Sequence, residues 1–176
     1  MKERKGAVTV GGKPFTLVGP ELKVGDKAPD FKLIDIEMNE VGLSDSKGKV
    51  RLLSVVHSLD TPVCDLQTQR FEKEVEQLKD VITYTISMDL PFAQARYCGA
   101  RDIKNLKTLS DHREASFAMA YGVLIKELRL LSRAIFIVDP DGRIRYTQYV
   151  KETSNQPDYD TALSALKTIL RTGSSS

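Results

Sequence analysis

Hydrophobic and polar positions along the first half of the chain change their period several times, and each change predicts a new element. Residues 7–18 alternate on either side of a Gly-Gly pair, which predicts an N-terminal hairpin. A short strand is expected within residues 31–36, and the almost continuously apolar residues 50–56 are typical of a strand covered on both faces. Residues 64–79 repeat apolar side chains at helical spacing, and residues 81–88 alternate again as a strand.

The second half of the chain continues this succession of elements. A helix is expected to begin near Pro91 and to stop at Gly99, and a shorter one covers residues 114–121. Residues 134–150 indicate a hairpin around an Asp-Gly turn, and residues 158–171 an amphipathic closing helix. Strands that alternate with helices predict an α/β architecture with a mixed central sheet flanked by helices.

Composition narrows the class of protein. A chain of 176 residues with 41% hydrophobic residues predicts a single domain over residues 1–176. The net charge of +2, spread along the chain, argues against a nucleic-acid or anionic-membrane partner. No apolar run has the length of a signal peptide or a membrane span, so we expect a cytoplasmic protein. Two isolated histidines make a poor metal site.

The chain contains two cysteines, Cys64 and Cys98, and their spacing excludes several kinds of site. It fits neither a disulfide-dense scaffold, nor a four-ligand zinc site, nor a Cys-x-x-Cys redox motif. A permanent structural disulfide is not expected in a compartment that keeps thiols reduced. The two thiols are therefore either inert or a redox pair.

The sequence around Cys64 favours a reactive thiol. Thr61 suits the N-cap of a helix and Pro62 its first position, so Cys64 is the third helical residue. Unpaired N–H groups and the helix dipole favour a thiolate there, and working sites of open α/β sheets lie beyond strand ends of this kind. The Thr61 hydroxyl could donate to developing charge or act as a plain cap. Alternatively, Cys64 is a small buried hydrophobe, as most free cysteines are.

A family resemblance becomes specific over several ordered motifs. Residues 58–64 are similar to the reactive-cysteine loop of the bacterial thiol peroxidases, which are atypical two-cysteine peroxiredoxins. The likeness extends over residues 24–31, 88–96, 109–113 and 127–134, and so covers nearly the whole chain. The resemblance implies a thioredoxin-like fold with an N-terminal β-hairpin, a homodimer, and a peroxidase that needs no metal or bound cofactor.

Carried over to the matching positions, the resemblance implies roles for individual residues. It implies that Cys64 is the peroxidatic cysteine and Cys98 the resolving one. Thr61 would orient the peroxide, and the always-charged Arg133 would hold the thiolate and the peroxide. Gln67 matches a position that often carries a supporting polar residue. Without the resemblance, Arg133 would be interpreted as a surface residue at the entrance to a strand.

The implied catalytic cycle uses both sulfur atoms. Peroxide oxidises Cys64 to a sulfenic acid, and Cys98 condenses with it to a disulfide that an external dithiol reduces. The resemblance implies thioredoxin as that dithiol. As substrates it favours alkyl hydroperoxides, in addition to hydrogen peroxide. A disulfide needs Cα atoms within ~4.4–6.8 Å, and the spacing brings no such approach, so we expect local unwinding of residues 60–68 and 92–100.

His57 departs from the family pattern, which has a proline there that shields the reactive cysteine. A protonated imidazole would favour the thiolate, whereas the lost ring could open the pocket to water. Alternatively, the substitution is tolerated and the imidazole points into solvent. We expect reduced or altered peroxidase efficiency.

Two other functions remain open at this point. The first is a peroxide-sensing redox regulator that uses the same disulfide without efficient turnover. The second is a binding module with a thioredoxin-like architecture and inert cysteines.

Overall fold

A seven-stranded sheet and a four-stranded sheet organise residues 1–173, which the computed structural model describes. In chain order the elements are β1 (Glu3–Val10), β2 (Lys13–Val18), β3 (Leu33–Ile34), β4 (Glu40–Val41), a 3-10 helix (Leu43–Ser46), β5 (Val50–Val55), α1 (Pro62–Val75), β6 (Val81–Ser87), α2 (Pro91–Arg101), β7 (Lys107–Ser110), α3 (Ser116–Ala120), β8 (Leu124–Ile125), β9 (Leu130–Leu131), β10 (Ala134–Val138), β11 (Ile144–Tyr149) and α4 (Tyr159–Gly173).

The N-terminal hairpin predicted from the sequence is present. β1 pairs antiparallel with β2 across Gly11 and Gly12, and both glycines have positive φ, as a tight hairpin turn requires. The short strands β8 and β9 extend this hairpin into the smaller sheet, in the order β1-β2-β8-β9. The hairpin is therefore joined to β8 and β9, the two short strands that precede β10 in the chain.

The larger sheet has the strand order β11-β10-β5-β6-β7-β3-β4 and is mixed, as predicted. β5 pairs parallel with β6, and β6 with β7. On the other side β10 pairs antiparallel with β5 and with β11. This arrangement gathers the ends of β5 and β6 and the start of β10 at one edge of the sheet.

All six residues of β5 are buried, Arg51 and Ser54 among them, which explains why its sequence is mostly apolar. Leu52 packs on one face of the sheet in a core with α1 and α4, represented by Phe71 and Leu166. Leu53 belongs to the core on the opposite face, which includes Phe117 of α3. None of the helices within residues 1–173 is long and apolar enough to cross a bilayer.

The structure corrects several of the predicted boundaries and adds four strands that were not predicted, β4, β7, β8 and β9. α2 continues through Gly99 to Arg101 and ends at Asp102, whose φ of 55° gives the left-handed turn that glycine was expected to supply. The expected strand within residues 31–36 is reduced to the two residues of β3. β7 was not predicted, because its short polar sequence forms a strand only through parallel pairing with β6.

Candidate active site

The topology brings Cys64 and Arg133 together although they lie 69 residues apart. Antiparallel pairing sets Ala134, the first residue of β10, opposite Val55 at the end of β5. Arg133 directly precedes β10, and Cys64 lies in the first turn of α1, which begins after the short turn that follows β5. Both side chains therefore meet at the carboxyl end of β5, where open α/β sheets place their sites.

The Cys64 side chain is a fully buried free thiol. Arg133 Nη1 donates to its Sγ at 3.3 Å. Val56 and Leu59 are buried with Cys64 in one apolar cluster, and Tyr97 packs against that cluster. A cation that donates to sulfur in a site shielded from water stabilises negative charge on that sulfur. The arrangement suits a thiolate nucleophile.

Arg133 is held by a main-chain carbonyl and a side-chain amide, and it is only 2% exposed. Its Nε and Nη2 donate to the carbonyl oxygen of Thr153 at 3.1 and 2.6 Å. Nη1 also donates to Gln67 Oε1 at 2.9 Å, and Gln67 Nε2 donates to Ser54 Oγ at 2.7 Å. Interpreting Arg133 as a surface residue was therefore wrong, and the interpretation of Gln67 as a supporting residue fits its contacts.

Arg133 has no carboxylate partner among residues 1–173. All its side-chain bonds go to neutral acceptors or to Cys64. The positive charge is therefore not neutralised within the site and acts on the sulfur and on any anionic oxygen bound beside it.

Thr61 occupies the N-cap position with extended backbone, but its side chain does not cap α1. Its hydroxyl instead donates to the carbonyl oxygen of Ser58 at 2.8 Å. The expected cap bond is thus absent. A hydroxyl whose proton is engaged in this way still offers oxygen lone pairs as acceptors. The role of Thr61 in orienting a peroxide remains a prediction.

Asp89 holds the turn that leads into the cysteine helix, and sequence reasoning gave it no role. Its Oδ1 accepts a hydrogen bond from Ser58 Oγ at 2.7 Å, and its Oδ2 accepts one from the Leu59 amide at 2.8 Å. Ser87 Oγ also donates to Oδ2 at 2.8 Å. The available signal was its position two residues after β6, since neighbouring parallel strands end at the same edge of a sheet.

Cys98 lies in α2, and its thiol contacts β7 and is not bonded to Cys64. The side chain is half-buried, and Sγ lies 3.5 Å from Thr108 Oγ1. Burial raises the pKa of the Cys98 thiol, and the Thr108 hydroxyl opposes that rise. The neighbouring Tyr97 reaches the apolar cluster around Cys64, so α2 contacts the site although its cysteine does not. Local unwinding before disulfide formation therefore stays a prediction.

Asp65 connects the two helices that carry the cysteines. Tyr97 OH donates to its Oδ1 at 2.7 Å, and Arg101 Nη2 donates to its Oδ2 at 2.9 Å. Farther along α1, Glu72 accepts a hydrogen bond from the Asn105 amide at 2.6 Å. These contacts fasten α2 and the residues after it to α1 while both thiols are free.

The His57 imidazole is half-buried beside the site instead of pointing freely into solvent. Its Nδ1 lies 3.2 Å from the carbonyl oxygen of Leu131, which can only accept, so Nδ1 carries the proton. Burial lowers the pKa of His57, and the charge of Arg133 lowers it further, against the opposing effects of the Leu131 bond and Asp89. The imidazole is therefore neutral at pH 7, and the charge assistance considered above is not expected there.

The chemistry available at the site is that of a nucleophilic sulfur beside a fixed cation. A group that leaves as an oxyanion would meet the guanidinium of Arg133. Within the described part of the chain, no group of three His, Cys, Asp or Glu side chains could hold a metal ion.

Comparison with known proteins places this arrangement in a family. The redoxin family model matches residues 23–163. A thiol peroxidase of Bacillus subtilis is 52% identical over 164 residues, which is 93% of this chain and 98% of that relative. A thiol peroxidase of Oceanobacillus iheyensis is 55% identical over 159 residues, or 90% of this chain and 97% of that relative.

Solved structures agree with the sequence comparison. A peroxiredoxin-like protein from Aquifex aeolicus matches with a TM-score of 0.89 and 40% identity, covering 93% of this chain and 97% of that one. A thiol peroxidase from Chromobacterium violaceum shares the fold, with a TM-score of 0.83 at 24% identity over 92% of this chain and 95% of that one. The predicted thioredoxin-like fold is confirmed, and the chain belongs to the redoxin family, among its thiol peroxidases.

Proposed function

We propose that this thiol peroxidase reduces hydrogen peroxide and alkyl hydroperoxides through Cys64, resolves the product through Cys98, and is reduced again by thioredoxin. The observation that supports this most directly is the bond from Arg133 Nη1 to the fully buried Cys64 sulfur at 3.3 Å. A cation that has no carboxylate partner among the described residues, and that is aimed at a thiol in the first turn of a helix, is arranged for thiolate chemistry.

In the first step the Cys64 thiolate attacks the terminal peroxide oxygen and breaks the O–O bond. The sulfur is oxidised to a sulfenic acid, and the peroxide is reduced to water or an alcohol after the departing oxygen takes a proton. Arg133 stabilises negative charge as it passes from the sulfur to the departing oxygen. The Thr61 oxygen, whose proton is directed to Ser58, would accept the hydrogen bond of the peroxide O–H.

In the second step the Cys98 thiol condenses with the sulfenic acid, which forms the disulfide and releases water. We expect Cys98 to leave Thr108 for this, since a disulfide requires Cα atoms within ~4.4–6.8 Å of each other. An external dithiol then attacks the disulfide and is itself oxidised through a mixed disulfide. We propose thioredoxin as that dithiol, in the cytoplasm where thioredoxin is kept reduced, and a homodimer as the working form.

The test of this function is peroxide-dependent NADPH consumption by the unaltered protein with thioredoxin and thioredoxin reductase. Sustained turnover with hydrogen peroxide and with an alkyl hydroperoxide would support the proposal. Oxidation of Cys64 and Cys98 to a disulfide without turnover would favour the peroxide-sensing regulator instead. A Cys64 that neither consumes peroxide nor reacts with iodoacetamide at neutral pH would indicate inert cysteines and refute both.

Asp65→Asn is expected to accelerate formation of the Cys64–Cys98 disulfide about three- to tenfold, since each hydrogen bond that holds α2 contributes about 1 kcal/mol. The variant loses the charge that Arg101 contacts and weakens the acceptor for Tyr97. The measurement is quenched-flow mass spectrometry after one equivalent of peroxide, which separates sulfenic acid formation from the second step.

Glu76→Gln is the matched control, because that exposed carboxyl at the end of α1 has no side-chain bond in the structure. It should leave both steps unchanged. Equal disulfide formation rates in the parent and Asp65→Asn, with unchanged hydrogen exchange over residues 92–100, would show that the helix contacts do not limit the rearrangement.

His57→Pro is expected to raise kcat/KM for peroxide about three- to tenfold at pH 7, a change of about 1 kcal/mol in barrier. The neutral imidazole gives no charge assistance, and a rigid ring would shield the sulfur better. The ratio of the variant's kcat/KM to the parent's should stay constant above pH ~6.5, the ordinary pKa of histidine. It should change only in more acidic buffer, where the imidazole gains its proton. Stopped-flow kinetics between pH 5 and 8 measure this, and an unchanged rate would refute it.

The same pKa shift has a consequence for folding. The unfolded chain protonates His57 at its ordinary pKa, whereas the folded chain binds that proton only at lower pH. The stability that the neutral imidazole contributes is therefore fully present above pH ~6.5 and is lost as the pH falls. His57→Pro should lack this part of the acid destabilisation.

A further inference from the structure

We propose that Glu152 is a positioning residue for Arg133 and that it acts through the N-terminal hairpin and the carbonyl of Thr153. The side chain of Glu152 does not touch Cys64 or Arg133. Its effect on the sulfur passes through main-chain atoms whose positions it fixes. The inference rests on the proposed function only where peroxide turnover is the readout.

One carbonyl group determines where the guanidinium of Arg133 lies. Two of the three guanidinium nitrogens of Arg133 donate to the Thr153 carbonyl oxygen, at 3.1 and 2.6 Å. Because the guanidinium is planar and rigid, this fork also fixes the third nitrogen, which contacts Cys64. A displacement of the Thr153 carbonyl would therefore displace the cation from the sulfur.

The segment that carries this carbonyl is fixed by the N-terminal hairpin. Residues 150–158 connect β11 to α4 and belong to neither a helix nor a strand. The Thr9 amide of β1 donates to the Lys151 carbonyl at 2.7 Å, and the Thr153 amide donates to the Thr9 carbonyl at 2.9 Å. Thr9 thus holds the segment on both sides of Glu152.

The Glu152 carboxylate joins the hairpin turn to this segment. On the hairpin side it accepts bonds from Thr9 Oγ1 at 2.9 Å, from the Gly12 amide at 2.6 Å and from the Gly11 amide at 3.3 Å. Within its own segment it accepts hydrogen bonds from the amide and the hydroxyl of Ser154, both at 2.8 Å. These bonds, first of all that of the Ser154 amide, lower the pKa of Glu152 to about 2.

Five donors on two oxygen atoms explain why a carboxylate stands at this position. Glutamine has nearly the same shape but offers a single acceptor oxygen, and its NH2 group faces donors. Glu152→Gln must therefore release either the hairpin turn or the Ser154 side of the segment. Either loss removes part of what fixes the backbone next to Thr153, while the main-chain bonds to Thr9 remain.

The experiment measures Cys64 without peroxide or thioredoxin, so its failure is distinguishable from failure of the proposed function. The pH dependence of Cys64 alkylation by iodoacetamide is recorded for the parent, Glu152→Gln and the milder Thr9→Val. We expect the alkylation midpoint to move to higher pH in both variants, less so in Thr9→Val. Peroxide kcat/KM of Glu152→Gln should fall about tenfold, as expected when a sub-ångström displacement reaches the reacting groups.

Glu127→Gln is the matched control. The Glu127 carboxylate also accepts a hairpin amide, that of Thr16, at 3.0 and 3.2 Å, and it has no contact with the segment that carries Thr153. We expect Glu127→Gln to lower the thermal stability without moving the alkylation midpoint. Equal losses of stability in Glu127→Gln and Glu152→Gln, with both alkylation midpoints at the parent value, would overturn the proposal and leave Glu152 a purely structural residue.

A double-mutant cycle gives a second, independent readout. In an Arg133→Lys background the fork onto Thr153 is absent, so adding Glu152→Gln should have almost no further effect on the alkylation midpoint. Additive effects of Glu152→Gln and Arg133→Lys would overturn the proposed route through the guanidinium.

Discussion

Replacing Cys64 with serine is expected to abolish peroxide reduction, whereas replacing Cys98 with serine abolishes only sustained turnover. The serine hydroxyl at position 64 stays protonated beside Arg133 and is no nucleophile toward peroxide. Cys98 lies against Thr108 and outside the apolar cluster of Cys64, so its loss should leave the first oxidation within about twofold of the parent rate. Cys98→Ser should consume one equivalent of peroxide and stop.

Two measurements separate these outcomes. Stopped-flow kinetics give the first oxidation, and trapping with dimedone followed by mass spectrometry identifies the sulfenic acid on Cys64 in Cys98→Ser. Peroxide-dependent NADPH consumption with thioredoxin gives the turnover. Because Cys64 and Cys98 are the two cysteines of this chain, parent-like turnover by Cys98→Ser would mean that an external thiol resolves the sulfenic acid. That result would contradict the intramolecular cycle.

Local sequence was sufficient for the elements whose pattern is contained in a few neighbouring residues. The Gly-Gly turn of the hairpin, the fully buried strand β5, and the proline at the start of α1 follow from backbone preferences and burial periods. Strand β7 could not be found in this way, because Lys107–Ser110 has no apolar run and exists through its pairing with β6. The end of α2 was misplaced for a related reason, since Asp102 adopts the left-handed conformation usually left to glycine.

The same distinction applies to the candidate site, where some residues could be predicted from local sequence and others could not. The helix position of Cys64 could be read from four residues, because capping and dipole effects act within one turn. The buried position of Arg133 could not, because it depends on the pairing of β10 with β5 and on a carbonyl of the segment that follows β11. Only the family resemblance pointed to Arg133. Neither pattern nor resemblance gave Asp65, Asp89 or Glu152 a part in the site, because each has bonding partners 30 or more residues away.

Arg133→Gln is expected to lower kcat/KM for peroxide about 10²–10³-fold, the range observed when one preorganised donor to a developing negative charge is removed. Arg133→Lys keeps the charge but cannot donate at once to Thr153, Gln67 and Cys64, so a loss of about tenfold or more is expected for it as well. Stopped-flow peroxide kinetics and the pH dependence of Cys64 alkylation measure both effects.

The free energies of unfolding of the same variants show whether Arg133 serves the reaction or the stability of the fold. Arg133 is buried without a carboxylate partner in the described chain, so its removal also removes the cost of desolvating a charge. We therefore expect the free energy of unfolding of Arg133→Gln to lie within about 1 kcal/mol of the parent value, although its kcat/KM for peroxide falls strongly. Arg145→Lys, at a half-exposed arginine that pairs with Asp139, is the control and should change neither quantity. An Arg133→Gln variant with parent-like kcat/KM would show that the guanidinium next to Cys64 has a structural role only.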